Sequence, residues 1–107
     1  VNELIGSSGS FDTFAEMICH QFYNPQLLFG KTTFDYNIHD LYDIHLQLLK
    51  STREERLKMK GLIAMRVDMI VIASIFVQYM IKNYKIEKVR LSTYSLKEGV
   101  LYKMIQK

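Results

Sequence analysis

A loop near the start of the chain combines residue types that could bind an anion. It reads Gly6-Ser7-Ser8-Gly9-Ser10, and a helical pattern of apolar residues follows it directly. Glycines let the backbone approach a ligand closely, serines offer hydroxyl groups, and the helix directs unpaired N–H groups and a partial positive charge toward the loop. This arrangement indicates a phosphate cradle. It matches neither the P-loop nor the dinucleotide-binding pattern, however, and a Gly/Ser turn before a helix is more often only a turn.

Two further segments place charged residues beside elements that could position them. Arg66 and Asp68 stand at the start of the most apolar stretch of the chain. An arginine and an aspartate beside a buried helix usually have a structural partner or face a cleft, because leaving either charge unpaired in the interior is costly. Lys97 and Glu98 follow a hydroxyl-rich loop, where Lys97 could reach an anion and Glu98 could pair with it or with a nearby arginine. For this last segment, local physics favours a capped C-terminal helix with Glu98 in its first turn.

Other kinds of site are not indicated by the residue spacing. The three histidines, His20, His39 and His45, lack the His-x-x-x-His register that places two metal ligands on one helix face. The single cysteine, Cys19, excludes an intrachain disulfide and lies in an apolar helical stretch, which predicts a buried, inert thiol in a reducing compartment. The methionines fall mainly on apolar helical positions and are predicted to fill the core. No serine lies in a nucleophile-elbow pattern.

Composition and charge limit the class of protein. A chain of 107 residues with 49% apolar and 23% charged residues is typical of one small globular domain. Its net charge of +3 is too small to indicate a DNA-binding protein. Residues 1–49 contain six acidic residues and one basic residue, whereas residues 50–107 contain five acidic and thirteen basic residues. The basic half favours an anionic partner, and a solvated basic face packed on an acidic one explains the pattern equally well. The most apolar run, residues 69–81, is shorter than the roughly 20 residues that a membrane-spanning helix needs.

The pattern of apolar residues and turn residues predicts alternating strands and helices. Thr52 and Glu55 have the spacing of a capping box, which marks the start of a helix. The predicted elements of the first half are a strand at 1–5, a helix capped by Ser10 that ends at Asn24-Pro25, a short strand or an extended loop at 34–38, and a helix capped by Asp40 that covers 41–49. Those of the second half are a helix from Thr52 that ends at Gly61, a buried central helix at 67–84, a strand at 89–91 and a final helix or turn at 96–106. Interleaved strands and helices favour an α/β layer architecture over a helix bundle.

Taken in order, these segments resemble the C-terminal lobe of the exopolyphosphatase/guanosine pentaphosphatase phosphatase family, a branch of the actin-like ATPase superfold. The resemblance spans nearly the whole chain. It rests on the loop Gly6-Ser7-Ser8-Gly9-Ser10 before a helix, on Arg53-Glu54-Glu55-Arg56 leading through Gly61-Leu62 to Arg66-Val67-Asp68-Met69-Ile70, and on Leu91-Ser92 leading to Leu96-Lys97-Glu98-Gly99-Val100-Leu101. The family usually has an arginine where this chain has Lys97, which keeps the charge but loses bidentate geometry. The segment 21–38 matches nothing specific and inherits no role.

The resemblance implies a fold and a division of labour. The fold would be α/β, a helix-rich fragment with a small sheet from a three-layer, RNase H-like and actin-like lobe, and residues 1–107 would be the C-terminal part of the second lobe. The loop at 6–10 would bind phosphate, and Arg66, Asp68, Lys97 and Glu98 would support the cleft. The catalytic carboxylates and the ligands of Mg²⁺ would belong to the missing N-terminal lobe of the same protein. No catalytic residue and no metal ligand is therefore expected in this chain.

The resemblance also implies a substrate class. The parent protein would be a bacterial, cytoplasmic hydrolase that releases terminal phosphate from inorganic polyphosphate or from guanosine penta- or tetraphosphate, and the chain alone would be inactive. Its expected partners are that polyanion, the missing lobe and a second copy in a homodimer, whereas DNA and membranes are not expected. Two other classes stay open. One is a non-enzymatic polyphosphate-binding or regulatory module that keeps the cradle, and the other is a domain with an unrelated partner surface.

Overall fold

The computed structural model of the chain describes residues 2–7, 9–31, 33–92 and 101–106, and these form a mixed α/β fold. The predicted fold class is therefore confirmed. In chain order the elements are β1 (Asn2–Ser7), α1 (Gly9–Phe22), β2 (Thr33–Tyr36), α2 (Ile38–Lys50), α3 (Arg53–Leu57), α4 (Met69–Asn83), β3 (Ile86–Ser92) and β4 (Leu101–Gln106), with short 3-10 turns at Pro25–Leu28 and Ala64–Arg66.

The four strands form one sheet in the order β2-β3-β1-β4. Strands β1 and β3 are parallel, β4 is antiparallel to β1, and β2 is antiparallel to β3. A parallel pair needs a long crossover, and the helices between β1 and β3 supply it. The carboxyl ends of β1 and β3 consequently lie at the same edge of the sheet, where Gly6 is in register with Leu91. Ligands of α/β sheets commonly bind at such an edge.

The core lies between one face of the sheet and the helices. Leu4, Val89 and Leu91 project from the strands into a single apolar cluster with residues of α1, α2 and α4. On the opposite face, Arg90 donates from Nε to Asp35 Oδ1 at 2.9 Å and places Nη2 3.4 Å from Glu3 Oε2. The part of the chain that the structure describes thus supplies the sheet and the helical layer on its apolar face. The third layer of the predicted lobe is not among these residues.

Helices α2 and α3 begin where a side chain accepts hydrogen bonds from the first backbone N–H groups. The predicted capping box at Thr52 is confirmed, because its Oγ1 accepts from Glu55 N at 3.1 Å while Glu55 Oε1 accepts from Thr52 N at 2.8 Å. Two other predicted caps were wrong. Helix α1 begins at Gly9, which places Ser10 inside its first turn. Helix α2 begins at Ile38, because Asn37 Oδ1 accepts from the N–H groups of residues 39 and 40 and so caps the helix three residues before the predicted cap.

Three predictions about the second half of the chain also need correction. Helix α3 ends at Leu57, and Gly61 lies in a separate turn with a φ of +86°. Helix α4 is not buried on nearly every face, because only Ile70, Ser74 and Val77 are buried. Residues 101–106 form a strand and not a helix, since they pair along the free edge of β1. The remainder of that predicted helix, including Lys97 and Glu98, lies outside the described residues.

The remaining predictions about the interior have mixed outcomes. Cys19 is buried, as expected for an inert thiol, and Met17 is in the core. Met65 and Met69 are exposed, so the prediction that methionines fill the core fails at these two positions. Among the described residues, no helix combines the length and the apolar character that crossing a membrane requires.

Candidate phosphate-binding loop

The predicted loop lies at the carboxyl edge of the sheet. Strand β1 ends at Ser7 and α1 begins at Gly9, so only one residue separates strand from helix. That residue, Ser8, is outside the described part of the chain. A 14-residue helix starting here directs its first N–H groups and the positive end of its dipole away from the sheet edge. This is the arrangement that binds phosphate groups in other α/β proteins.

Gly6 is a glycine because an aromatic ring occupies the space beside it. A Cβ at Gly6 would collide with the ring of Phe11. Phe11 is fully buried, packs edge-on against Phe14 and Tyr36, and its carbonyl accepts a hydrogen bond from the Tyr36 hydroxyl. Gly6 does not have a positive φ. Its role is therefore to let the first turn of α1 close over the end of β1, which anchors the loop to the core.

Gly9 makes room for Arg66, which is the most informative contact of the site. A Cβ at Gly9 would occupy the position of the Arg66 guanidinium. Among the described residues, no carboxylate lies within 4.0 Å of that guanidinium. Arg66 was predicted to support the cleft, and the structure brings it onto the loop itself. A cation without a close counter-ion and the N-terminus of α1 therefore share one location.

Asp12 lies in the first turn of α1, at the same end of the helix as Gly9. Burial raises the pKa of Asp12, and the positive charge of Arg66 acts in the opposite direction. The guanidinium reaches this turn of α1 through its contact with Gly9. In the same turn, Thr13 Oγ1 donates to the Gly9 carbonyl at 2.8 Å. The Thr13 hydroxyl thus stabilises the first turn of α1, and Arg66 lies beside this turn.

Asp68 does not pair with Arg66, although only one residue separates them. Its carboxylate lies 3.3 Å from Arg53 Nε and 3.9 Å from Arg56 Nη2, on the side of the segment that faces α3. Of the two outcomes that the sequence left open, a structural partner applies to Asp68. The cleft-facing position of Arg66 stays a prediction. Asp68 therefore ties the segment that carries Arg66 to α3.

Arg56 is a positioning residue to which sequence analysis gave no role. Its side chain is only 13% exposed, donates from Nε to the Val67 carbonyl at 2.6 Å, and donates from Nη1 to the Ser51 carbonyl at 3.0 Å. These bonds tie α3 to the segment that carries Arg66 and Asp68. The available signal was the arginine that follows the capping box, but its carbonyl partners are not readable from sequence.

A cavity of about 170 Å³ adjoins the loop through Asp12. It lies between α1, the turn that follows α1, and strand β2. Its wall mixes apolar residues such as Phe34 and Leu91 with the charged residues Glu16 and Lys31. The segment 21–38, which matched no family motif, contributes part of this wall.

The described residues do not gather a metal site. No group of three or more histidine, cysteine, aspartate or glutamate side chains is placed to hold an ion within this part of the chain. His20 lies 3.8 Å from Glu16 on the surface of α1, and His45 Nδ1 lies 3.0 Å from Ser74 Oγ between α2 and α4. These two histidines therefore contact different partners on different helices.

Comparisons with known proteins identify the family of the chain. The model of the Ppx/GppA phosphatase family matches residues 2–107. Among solved structures, the chain is similar to an exopolyphosphatase from Cytophaga hutchinsonii ATCC 33406, with 37% sequence identity and a TM-score of 0.76. That match covers 87% of this chain and 30% of the solved chain, so this chain spans less than a third of its relative. No curated protein matches the chain. The resemblance predicted from the sequence is confirmed, and the chain belongs to the Ppx/GppA phosphatase family.

Proposed function

We propose that this chain is the phosphate-binding part of a hydrolase that releases terminal phosphate from inorganic polyphosphate. The observation that carries the proposal is the Arg66 guanidinium lying against Gly9 at the N-terminus of α1. Backbone N–H groups and a guanidinium that converge on one point suit the oxygens of a phosphate chain, because charged hydrogen bonds to phosphate are about twice as strong as neutral ones. The name of the solved relative supplies the substrate class.

The proposed reaction breaks a phosphoanhydride bond. Water attacks the terminal phosphorus, the bond to the bridging oxygen breaks, and negative charge develops on the leaving phosphate. Positioning and electrostatic stabilisation supply most of the rate in such reactions. In this chain, Arg66 and the first N–H groups of α1 would hold the oxygens of the bound chain and offset that charge. The hydroxyls of Ser7, Ser8 and Ser10 are proposed as further donors.

The rest of the machinery is proposed to come from the preceding lobe of the longer protein. A divalent metal is the expected cofactor of the family, and we propose Mg²⁺, which would offset phosphate charge when bound. The described residues hold no cluster that fits it. The water-activating carboxylate is assigned to the same missing lobe. Lys97 and Glu98 remain proposed cleft residues, and guanosine penta- or tetraphosphate remains a second proposed substrate.

A chimera tests the proposal. The segment of the Cytophaga hutchinsonii exopolyphosphatase that matches this chain is replaced by this chain, and phosphate release is measured with polyphosphate and with guanosine pentaphosphate. We expect the chimera to release phosphate from polyphosphate and the 107-residue chain alone to release none. Arg66→Met should lower the activity of the chimera severely. The matched control is Lys50→Met, which removes a positive charge from an exposed position at the end of α2 and should have little effect.

Two results would contradict the proposal. One is a chimera that folds, as shown by circular dichroism and a cooperative melt, yet releases no phosphate from either substrate. If that chimera still bound polyphosphate, a non-enzymatic binding module would be the better account. The other is an isolated chain that releases phosphate as fast as the chimera, which would mean that the missing lobe is not needed.

A further inference from the structure

The segment 21–38, which inherits no role from the family pattern, leaves an apolar surface uncovered beside the sheet. It contains the end of α1, the 3-10 turn at Pro25–Leu28 and strand β2. In this segment Tyr23 is 53% exposed and Leu27 is 48% exposed. Exposed apolar side chains that are grouped in this way mark interaction surfaces.

A cavity of about 150 Å³ opens on this surface. Its wall combines apolar, amide and carboxylate side chains, which are Tyr23, Leu27, Phe34, Asp35, Asn37 and Asp40. A cavity of this volume holds a group about the size of benzene, so it accepts one side chain of a partner. Because carboxylates lie among the apolar groups, the cavity suits an apolar side chain that has a positive charge next to it.

Asp40 gives the cavity a negative charge that the described residues do not neutralise. The Tyr23 hydroxyl donates to Asp40 Oδ2 at 2.7 Å, but this bond brings no positive charge. Among the described residues, no basic side chain lies within 4.0 Å of the Asp40 carboxylate. Lys31, the one basic residue among residues 1–49, lines the cavity beside Asp12. Asp35 differs from Asp40, because Arg90 already pairs with it.

Strand β2 adds unpaired backbone groups to the same surface. It lies at one end of the sheet, and among the described residues only β3 pairs with it. In an antiparallel pair, every second residue directs its N–H and C=O groups away from the partner strand. Strand β2 is short, but it contains neither the lysine nor the proline that commonly blocks such an edge. An extended peptide pairs with an edge of this kind and places alternate side chains in neighbouring pockets.

We propose that this surface binds an extended basic segment of another protein, in which an apolar residue is flanked by lysine or arginine. The segment lies along the outer edge of β2. Its apolar side chain enters the cavity beside Leu27 and Phe34, and a neighbouring basic side chain pairs with Asp40. An acidic peptide, a nucleic acid or an anionic lipid surface would be repelled, because residues 1–49 hold six acidic residues and one basic residue. The surface shares no residue with the proposed phosphate-binding loop, so the proposal does not depend on the proposed function.

Titration of the 107-residue chain with synthetic peptides tests the proposal. The probe is a short peptide of alternating valine and arginine with blocked ends and a fluorophore, and its anisotropy reports binding. We expect one peptide to bind per chain, with an affinity that falls as salt is added. A peptide with glutamate in place of arginine should not bind. The arginine peptide with methylated backbone nitrogens should bind roughly tenfold more weakly, because it cannot donate hydrogen bonds to β2.

Two pairs of variants locate the binding surface. Asp40→Asn keeps an oxygen that accepts from the Tyr23 hydroxyl but removes the charge, so it should weaken binding roughly two- to fivefold and reduce the salt dependence. Its matched control is Glu54→Gln, which removes an exposed charge on α3 and should leave binding unchanged. Leu27→Ser removes an apolar side chain from the cavity wall and should weaken binding roughly fivefold. Its matched control is Phe29→Ser, because Phe29 is 78% exposed and does not line the cavity.

Several results would overturn the proposal. It fails if the parent chain does not bind the arginine peptide, if the glutamate peptide binds equally well, or if folded Asp40→Asn and Leu27→Ser both bind as the parent does. Spermidine that binds as tightly as the peptide would make a small polyamine the ligand. Self-association of the parent chain that Asp40→Asn abolishes would assign the surface to a second copy. A folded chimera, as described above, that does not bind the peptide would show that the rest of a longer chain covers the surface.

Discussion

Replacing Gly9 with valine separates the binding role of the loop from its structural role. The new side chain would occupy the place of the Arg66 guanidinium, so one of the two must move. The guanidinium is the end of a flexible side chain and has no ion pair within 4.0 Å among the described residues, so it should be the group that moves. Gly9 does not have a positive φ, so valine meets no backbone strain of that kind. We expect the free energy of unfolding to change by about 0.5 kcal/mol or less.

The loss of phosphate binding should be much larger. Moving Arg66 away removes a hydrogen bond between a guanidinium and a phosphate oxygen, and such bonds to charged groups contribute about 1.5–3 kcal/mol. At 1.4 kcal/mol per factor of ten, the Kd for polyphosphate should rise roughly ten- to 150-fold. Isothermal titration of the 107-residue chain with polyphosphate gives the Kd, and urea unfolding gives the stability.

A double-variant comparison shows whether the loss acts through Arg66. Arg66→Met should weaken binding about as much as Gly9→Val, and the variant that carries both substitutions should bind no worse than either one, because both remove the same guanidinium. Additive losses would refute this reasoning, since Gly9 would then contribute in some way other than by making room for Arg66. A loss of binding that only follows a loss of folded protein would make the loop a structural turn.

Three further predictions concern the framework of the site. Gly61→Ala should lower the free energy of unfolding, measured in urea, by about 1–3 kcal/mol. The φ of +86° suits glycine, and the added Cβ would lie 2.8 Å from backbone atoms of α1. An unchanged stability would contradict this close contact between Gly61 and α1. Arg56→Met should destabilise the chain by about 1–3 kcal/mol in urea, because it leaves two partly buried carbonyls without donors. It should also weaken polyphosphate binding by displacing the segment that carries Arg66, and normal binding by the folded variant would argue against a positioning role for Arg56. Burial lowers the pKa of His45 below its ordinary value of 6.5, so the folded chain takes up this proton less readily than the unfolded chain. The stabilising contribution is present above pH 6.5 and is lost as pH falls through the lowered pKa. Melting temperatures measured from about pH 7.5 to about pH 5 should therefore fall less for His45→Gln than for the parent chain, and parallel curves would refute the assignment.

Sequence analysis succeeded where the responsible groups are close together in the chain. The capping box at Thr52 could be predicted from the sequence, because both of its hydrogen bonds join residues within a span of four. The helix after the glycine–serine loop was predicted for the same reason. Residues 101–106 show the limit of this approach. Their partner in the sheet is β1, at the other end of the chain, and pairing with that free edge decides their conformation.

The glycines of the loop provide space beside the backbone, but the side chains that fill it could not be predicted from the sequence. Sequence analysis assigned the space to a ligand. In the structure, Phe11 fills the space beside Gly6, and Arg66, 57 residues further along the chain, fills the space beside Gly9. No local pattern distinguishes a glycine that leaves room for a phosphate group from one that leaves room for an arginine side chain.

The segment from Arg66 to Asp68 shows how one short motif can serve two surfaces. Because the chain turns into α4 here, residues two apart face different neighbours, with Arg66 on the loop and Asp68 toward Arg53. The contacts of Asp68 with Arg53 and Arg56 hold the segment against α3. They leave Arg66 beside Gly9, where the proposed function places the phosphate chain.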